Sequence, residues 1–403
     1  MPVLTDYNQF SGRHWETGSV CNYLAYIGAR TPHNNQPYSE ALLLGISGGV
    51  VMGYFSFAYQ GYDPQCNILT RNTFDPLDRM LSRMGIVQQV RQTSSAEKGV
   101  QNLVDLLEAG RPGIVWADMY SLPYNHLPED EGMWAMFPVV VFGYDMEKDR
   151  VDIADRARVP LTTTTGAFEA ARQRVKKDKH RVVALEPPDP DKIRSAVLQG
   201  ITDCIKLFVE KPPKGSANNF GLQAYRWWME LLTRPKARLS WAREFPPGVK
   251  MYAGLTSAFN FINTFGKNGH AERDVYADFL VEAAAILESP GLEEAAAIFK
   301  KSAESWDQLS QALLPDDLAP LGETRRLLLE RRDVFCGQGN DGLPRIKEID
   351  EELASIHDQM QGGFPLDEQG ATEFREQLAG HVQDVHDIEQ RAVQRMQAAL
   401  AEG

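Results

Sequence analysis

Strand-type runs stop at Pro187-Pro188-Asp189-Pro190, and everything beyond that punctuation carries helical spacing. Prolines remove N–H donors and fix φ, so such a cluster breaks either kind of element. A change from mixed periodicity to pure 3.6-residue periodicity on either side of one linker predicts two domains. The length of 403 residues agrees, because a single core rarely organises that much chain. The boundaries read as 1–188 and 189–403.

In the first half, Thr17 to Tyr26 reads as a helix capped by Thr17 and stopped by Gly28. Short helices are predicted at Ser39–Leu44 and Asp75–Met84, and an amphipathic one over Ala96–Glu108 with Val100, Leu103, Val104 and Leu107 on one face. Val50–Tyr59, Ile86–Val90, Ile114–Asp118, Phe137–Phe142, Val151–Ala154 and Arg181–Leu185 read as strands, and Phe168–Val175 as a helix. Phe137–Phe142 is apolar almost throughout, the mark of a strand buried on both faces. The second half reads as helices over Ile193–Phe208, Leu222–Leu232, Val249–Phe265, Val275–Leu287, Leu292–Leu313, Leu321–Val334, Ile346–Met360 and Thr372–Leu400, with a break at Gly266–Gly269. Phe374, Leu378, Val382, Val385, Ile388 and Met396 stripe the last helix, which suits packing on neighbours better than a dimer seam, though a homo-oligomer stays open.

The net charge of −13 disfavours phosphate backbones and anionic bilayers, so neither nucleic acid nor membrane is an expected partner. No apolar run approaches the roughly 18 residues of a membrane span. The first residues show no basic head followed by an apolar stretch, so no signal peptide is expected. Cys21, Cys66, Cys204 and Cys336 are far apart, which fits a reducing, cytoplasmic setting and argues against a disulfide framework. No metal and no cofactor is expected. The eight histidines lack a HExxH or HxH pair, and Gly45-Ile-Ser-Gly-Gly49 lacks the Lys-Ser/Thr ending of a phosphate loop.

Three stretches carry a likeness: Gly12-Arg-His-Trp-Glu-Thr-Gly18 entering a helix, Tyr38-Ser-Glu-Ala-Leu with Gly45-Ile-Ser-Gly-Gly49, and Val139-Val-Val-Phe-Gly-Tyr-Asp145 followed by Val151-Asp-Ile-Ala-Asp155. Together they resemble the N-terminal domain family of butirosin-biosynthesis protein H, an acyltransferase type related in fold to papain-like cysteine peptidases. Glu272 to Ala284, with Trp306, resembles the helical domain of unknown function that often follows it. The resemblance implies an α+β papain-like (cysteine-peptidase-like) N-terminal domain, with an antiparallel sheet against the first helix, and an all-α C-terminal domain.

The resemblance also implies a cysteine directly after His14 and a histidine on the central strand. Here those positions are Trp15 and Phe137; only the acid, Asp155, is in place. A thiolate at a helix N-terminus facing an imidazole is the chemistry such a fold uses. Indole and phenyl rings neither attack carbonyls nor shuttle protons; they stack and fill. Cys21 is a poor replacement, six residues along and about 240° around the helix.

His14 and Glu16 bracket Trp15 as a candidate acid/base pair, or as caps. Asp155 with Arg156 reads as the remnant orienter or as a salt-bridged hairpin end. Glu40, Asp118 and Tyr124 are candidate substrate contacts beside Trp15 and Phe137, with Asp118 and Tyr124 bordering the cleft. Glu129, Asp130 and Glu131 read as a solvated run. Asn218, Asn219, Trp227, Trp228 and Trp241 are candidate pocket-lining residues, although aromatics at helical spacing are more often core. Two functions follow from the resemblance. One is acyl or aminoacyl transfer from a thioester carrier without a cysteine nucleophile, with secondary metabolism as the setting the resemblance implies. The other is a non-catalytic pseudoenzyme that binds a small molecule or serves as a scaffold.

Overall fold

The structure is a computed structural model that describes residues 2–128, 130, 132–177, 179–263 and 270–402. Glu129 and Glu131 of the acidic run, and the Gly266–Gly269 break, lie outside the described residues. The chain forms two compact units, one of residues 1–43, 80–193 and 331–348, the other of 44–79, 194–330 and 349–403. One passage between the units falls at residues 193–194, just beyond the proline cluster. The passages at 43–44, 79–80, 330–331 and 348–349 run through continuous helices, where the sequence carries no breaker.

The strands, in chain order, are β1 (Val50–Phe57), β2 (Gln65–Arg71), β3 (Gln88–Arg91), β4 (Gly113–Asp118), β5 (Met136–Asp145), β6 (Arg150–Ala154), β7 (Leu161–Thr163) and β8 (Val182–Leu185). The first unit is α+β. Its sheet has the order β3-β8-β4-β5-β6-β7, with every neighbour antiparallel. β5 is central and buried from Pro138 to Asp145, as its unbroken apolar run requires. Helix Trp15–Tyr26 packs on β5, helix Ala96–Glu108 packs on β4, β5 and β8, and helix Thr165–Gln173 packs on β4 and β6.

The first helix is capped three residues before the Thr17 that the sequence indicates, and starts at Trp15. Its cap is His14, whose Nδ1 accepts from the Glu16 N–H at 3.1 Å. Thr17 is instead inside the helix and buried. The entry is tight: a Cβ placed on Gly18 would lie 2.9 Å from the main chain of Gly12, so glycine is needed for the two backbones to touch. Asn22 Oδ1 accepts from the N–H groups of Ser11 (3.1 Å) and Gly12 (3.0 Å), fixing the lead-in to the helix.

The second unit is helical apart from the β1–β2 hairpin. β2 and β7 escape sequence reading because β2 is mostly polar (Gln65-Cys-Asn-Ile-Leu-Thr-Arg71) and β7 is three residues long. Helix Glu368–Glu402 packs on helices Pro290–Leu313 and Gly221–Thr233. Its Phe374, Leu378, Val382, Val385 and Met396 are buried, and Ile388 partly so. Trp228 and Trp241 are wholly buried core side chains. Gly45 is required for packing, since a Cβ there would meet the Phe279 ring at 2.2 Å.

This core holds an ion pair. Arg273 and Glu389 are both fully buried, with Nε to Oε1 at 2.7 Å. Tyr225, Ser302 and Trp306 donate to the same carboxylate at 2.6, 2.8 and 2.9 Å. Main-chain carbonyls of Thr70 and Ala271, each at 2.8 Å, and of Val51 at 3.0 Å, accept from the guanidinium. Buried charges persist when every donor and acceptor is matched in this way.

Candidate functional site

The side chain of Trp15 leaves the first turn of the first helix and meets Phe137 on β5. The two rings lie parallel, 3.8 Å between centroids and 6° between planes. Ser19 on the same helix donates to the Pro138 carbonyl at 3.3 Å, which fixes helix and strand in register. Both aromatic residues are half-buried. The Arg156 guanidinium lies over the Trp15 ring at 4.6 Å and over the Phe335 ring at 4.9 Å. Phe137, Trp15, Arg156 and Phe335 thus form one continuous stack. Arene–arene and cation–arene contacts each contribute about 0.5–1.5 kcal/mol in such settings.

Asp155 follows β6 and is buried. Its carboxylate accepts from Arg156 Nε and Nη2, each at 3.2 Å, and from the Tyr124 hydroxyl at 3.3 Å. Arg156 also donates to Asn125 Oδ1 at 2.6 Å. Tyr124 is fully buried, and burial with the nearby Asp155 charge holds its hydroxyl well above the usual phenol range. The partner this acid holds is a guanidinium.

Glu40 begins a short helix and serves the turn before Trp15. Its two oxygens accept from the N–H groups of Arg13 (2.7 Å) and His14 (2.9 Å) and from the Thr17 hydroxyl (2.8 Å). An anion at a helix N-terminus also sits favourably in the helix dipole. His14 lies edge-on to Trp15 at 5.9 Å, and its capping bond holds Nδ1 against the helix. Glu16 lies in the first turn, half-buried.

Asp118 faces elsewhere. It pairs in register with Met136, while Ala117 pairs with Phe137, so strand alternation points Asp118 and Phe137 to opposite faces of the sheet. Its oxygens accept from Ser121 (2.8 Å) and the Ala135 N–H (2.9 Å) and face Arg174 at 3.2 Å. That network pins the end of β4 to the loop. The structure therefore gathers Trp15, Phe137, Asp155, Tyr124, His14, Glu16 and Glu40 around one helix entry and separates Asp118 from them.

Burial makes the thiols poor nucleophiles. Cys21 is buried, donates to the Tyr38 carbonyl at 3.4 Å, and burial pushes it up to about 12. Cys336 is half-buried and raised by burial too. Among the described residues no group of three or more His, Cys, Asp or Glu side chains is placed to hold a metal ion, and no helix is long and apolar enough to cross a membrane.

Sequence reading missed the contribution of residues 331–348. Besides Phe335, Arg331 Nη2 donates to the carbonyls of Asn125 and His126, each at 3.1 Å. The Arg158 N–H donates to the Cys336 carbonyl at 2.8 Å. The Asn340 side chain exchanges bonds with the Thr162 main chain at 2.8 and 2.9 Å, extending the edge of β7. Nothing local in a helical sequence announces that its end packs against a distant sheet.

Residues 14–156 match the family model described as butirosin biosynthesis protein H, N-terminal, and residues 168–318 match a domain of unknown function (DUF4872). No curated protein matches the chain. Phe335 and Arg331 lie outside both matched ranges.

Proposed function

The chain belongs to the proteins that carry a butirosin biosynthesis protein H N-terminal domain followed by this domain of unknown function, and from that premise we propose that it is a non-catalytic member, a papain-like module that binds a small ligand or serves as a scaffold. The observation that carries this reading is the parallel Trp15–Phe137 stack. Acyl transfer through a cysteine needs a thiolate–imidazole pair, and two hydrocarbon-rich rings stand at the positions that the resemblance assigns to it. Asp155 is engaged by Arg156 and Tyr124, which leaves it no imidazole to orient. Edges of the aromatic stack offer a surface for a flat or acyl-bearing ligand, with the half-buried Trp15, Phe137 and Glu40 as its neighbours and the buried Tyr124 behind them. Four free cysteines support a reducing, cytoplasmic compartment.

Family membership favours a second reading, acyl or aminoacyl transfer by direct attack of an amine on a carrier thioester, with His14, Glu16 or Asp155 as base. Positioning alone has to supply the acceleration in that case. The test is aminolysis of a short acyl thioester by a panel of primary amines, with and without protein. The non-catalytic reading expects the uncatalysed rate throughout. A saturable acceleration that Glu16→Gln or Asp155→Asn removes would establish the second reading instead.

A further inference from the structure

Away from the aromatic stack, the first unit buries a second polar cluster. Arg172 and Glu169 sit on helix Thr165–Gln173, and His180 precedes β8. Arg172 is wholly buried, yet among the described residues only its Nη1 has a hydrogen-bond partner, Glu169 Oε1 at 3.2 Å. Its Nε and Nη2 have none among the described residues. Both ring nitrogens of His180 and Glu169 Oε2 are in the same condition. His180 Nδ1 stands 3.8 Å from that oxygen, too far for a hydrogen bond. Native proteins bury few polar atoms in this way, and a cluster of them calls for water, an ion or a small guest to satisfy it.

The atoms themselves say which group. Nε and Nη2 form the side edge of the guanidinium, the edge that grips a carboxylate through two parallel hydrogen bonds. That edge carries three N–H donors and His180 adds one, against two free acceptors on Glu169 and His180. A surplus of donors calls for an acceptor-rich guest. Arg172, Arg174, Lys176, Lys177, Lys179 and Arg181 crowd this stretch of an otherwise acidic chain, a local field that attracts anions.

We propose that Arg172 and His180 form an internal binding site for a small planar oxyanion of the carboxylate class. Arg172 and Glu169 already balance each other's charge. An entering anion therefore brings one uncompensated negative charge, which a proton on His180 neutralises. Arg172 and Lys179 bear electrostatically on His180, Glu169 Oε2 stands 3.8 Å from its Nδ1, and helix Ala96–Glu108 packs against it with the side-chain-free Gly99. Without the anion, burial and then Arg172 and Lys179 hold the His180 imidazole below its ordinary value. Binding thus takes up a proton, and affinity falls as pH rises.

Calorimetric titration of the full chain with sodium formate, at fixed ionic strength and in a buffer free of carboxylates, tests the site. The expected result is saturable one-to-one binding that weakens as pH rises, beginning below the ordinary histidine value of about 6.5. Arg172→Lys keeps the charge and loses the fork, so it weakens binding by at least about tenfold. Should that variant fail to fold, wild-type crystals grown with nitrate decide the matter: planar density on the Nε–Nη2 edge upholds the site. Water alone on that edge, with no formate heat, overturns it.

Discussion

Glu40 Oε1 accepts the main-chain N–H of His14 at 2.9 Å and the Thr17 hydroxyl at 2.8 Å, so one carboxylate joins the residue before the first helix to the residue inside it. The side chain that holds the helix entry in place is thereby also the one that sets where Trp15 projects. Replacing Glu40 by Ala removes three bonds to a charged acceptor and is expected to destabilise the protein by about 2–4 kcal/mol. Glu40→Gln should cost less. Urea unfolding of both variants checks the order.

The Arg273–Glu389 pair gives an acid-side prediction. Burial pushes the Glu389 carboxyl up, but Arg273 and the hydrogen bonds from Tyr225 and Trp306 outweigh it and hold the group below its ordinary value. A depressed carboxylate contributes stability above its unfolded pKa, near 4.3 for glutamate, and loses it as pH falls through the lower folded value. Glu389→Gln should therefore flatten the acid limb of the stability–pH curve. It should also cost about 3–5 kcal/mol near neutrality, because Arg273 is left buried and unpaired. Thermal melts from neutral to acid pH read both effects.

Thiol accessibility follows from burial. Burial pushes Cys21 and Cys204 up to about 12 and raises Cys66 further, so these three should be silent towards a disulfide reagent in the native protein. Cys336, half-buried, should react alone and slowly. Release of about one equivalent before unfolding and about four afterwards is the expected reading.

Phe335 closes one end of the aromatic stack over Arg156. Phe335→Ala should free Arg156 to move and raise the solvent exposure of Trp15 while leaving the helical unit folded. Fluorine NMR on fluorotryptophan-labelled protein, with Trp15→Phe to assign its resonance, reports this directly. An unchanged Trp15 line in Phe335→Ala would mean that the contact does not position the indole.

Much of this fold was legible because its elements obey single periodicities. The unbroken apolar run from Phe137 gave the central strand, and the i, i+3, i+4 faces gave the long helices. β2 was hidden because Gln65, Asn67 and Arg71 look like loop residues until the second unit buries the strand's other side. The first helix was read as starting at Thr17 because a threonine cap is common, whereas here a histidine caps and the threonine turns to Glu40. Trp15 and Phe137 were paired through family resemblance, which no local pattern offers. Asp118 was placed at the cleft because an acid ending an apolar strand stands out, but its parity with Met136 turns it to the other face. Phe335 and Arg331 were out of reach, since only three-dimensional packing brings residues so remote in sequence to the site.

The positions of the two stacked rings can be tested by putting chemistry back into them. Alkylation of Trp15→Cys by iodoacetamide at neutral pH, compared with Trp15→Cys/Phe137→His, is the decisive measurement. The geometry predicts a sluggish thiol in the single variant, because Phe137 supplies no base, and faster alkylation with a lower pH midpoint once a histidine faces it. Rapid stoichiometric alkylation of the single variant, or no gain from the added histidine, would contradict the claim that these two side chains occupy the sites of a catalytic pair.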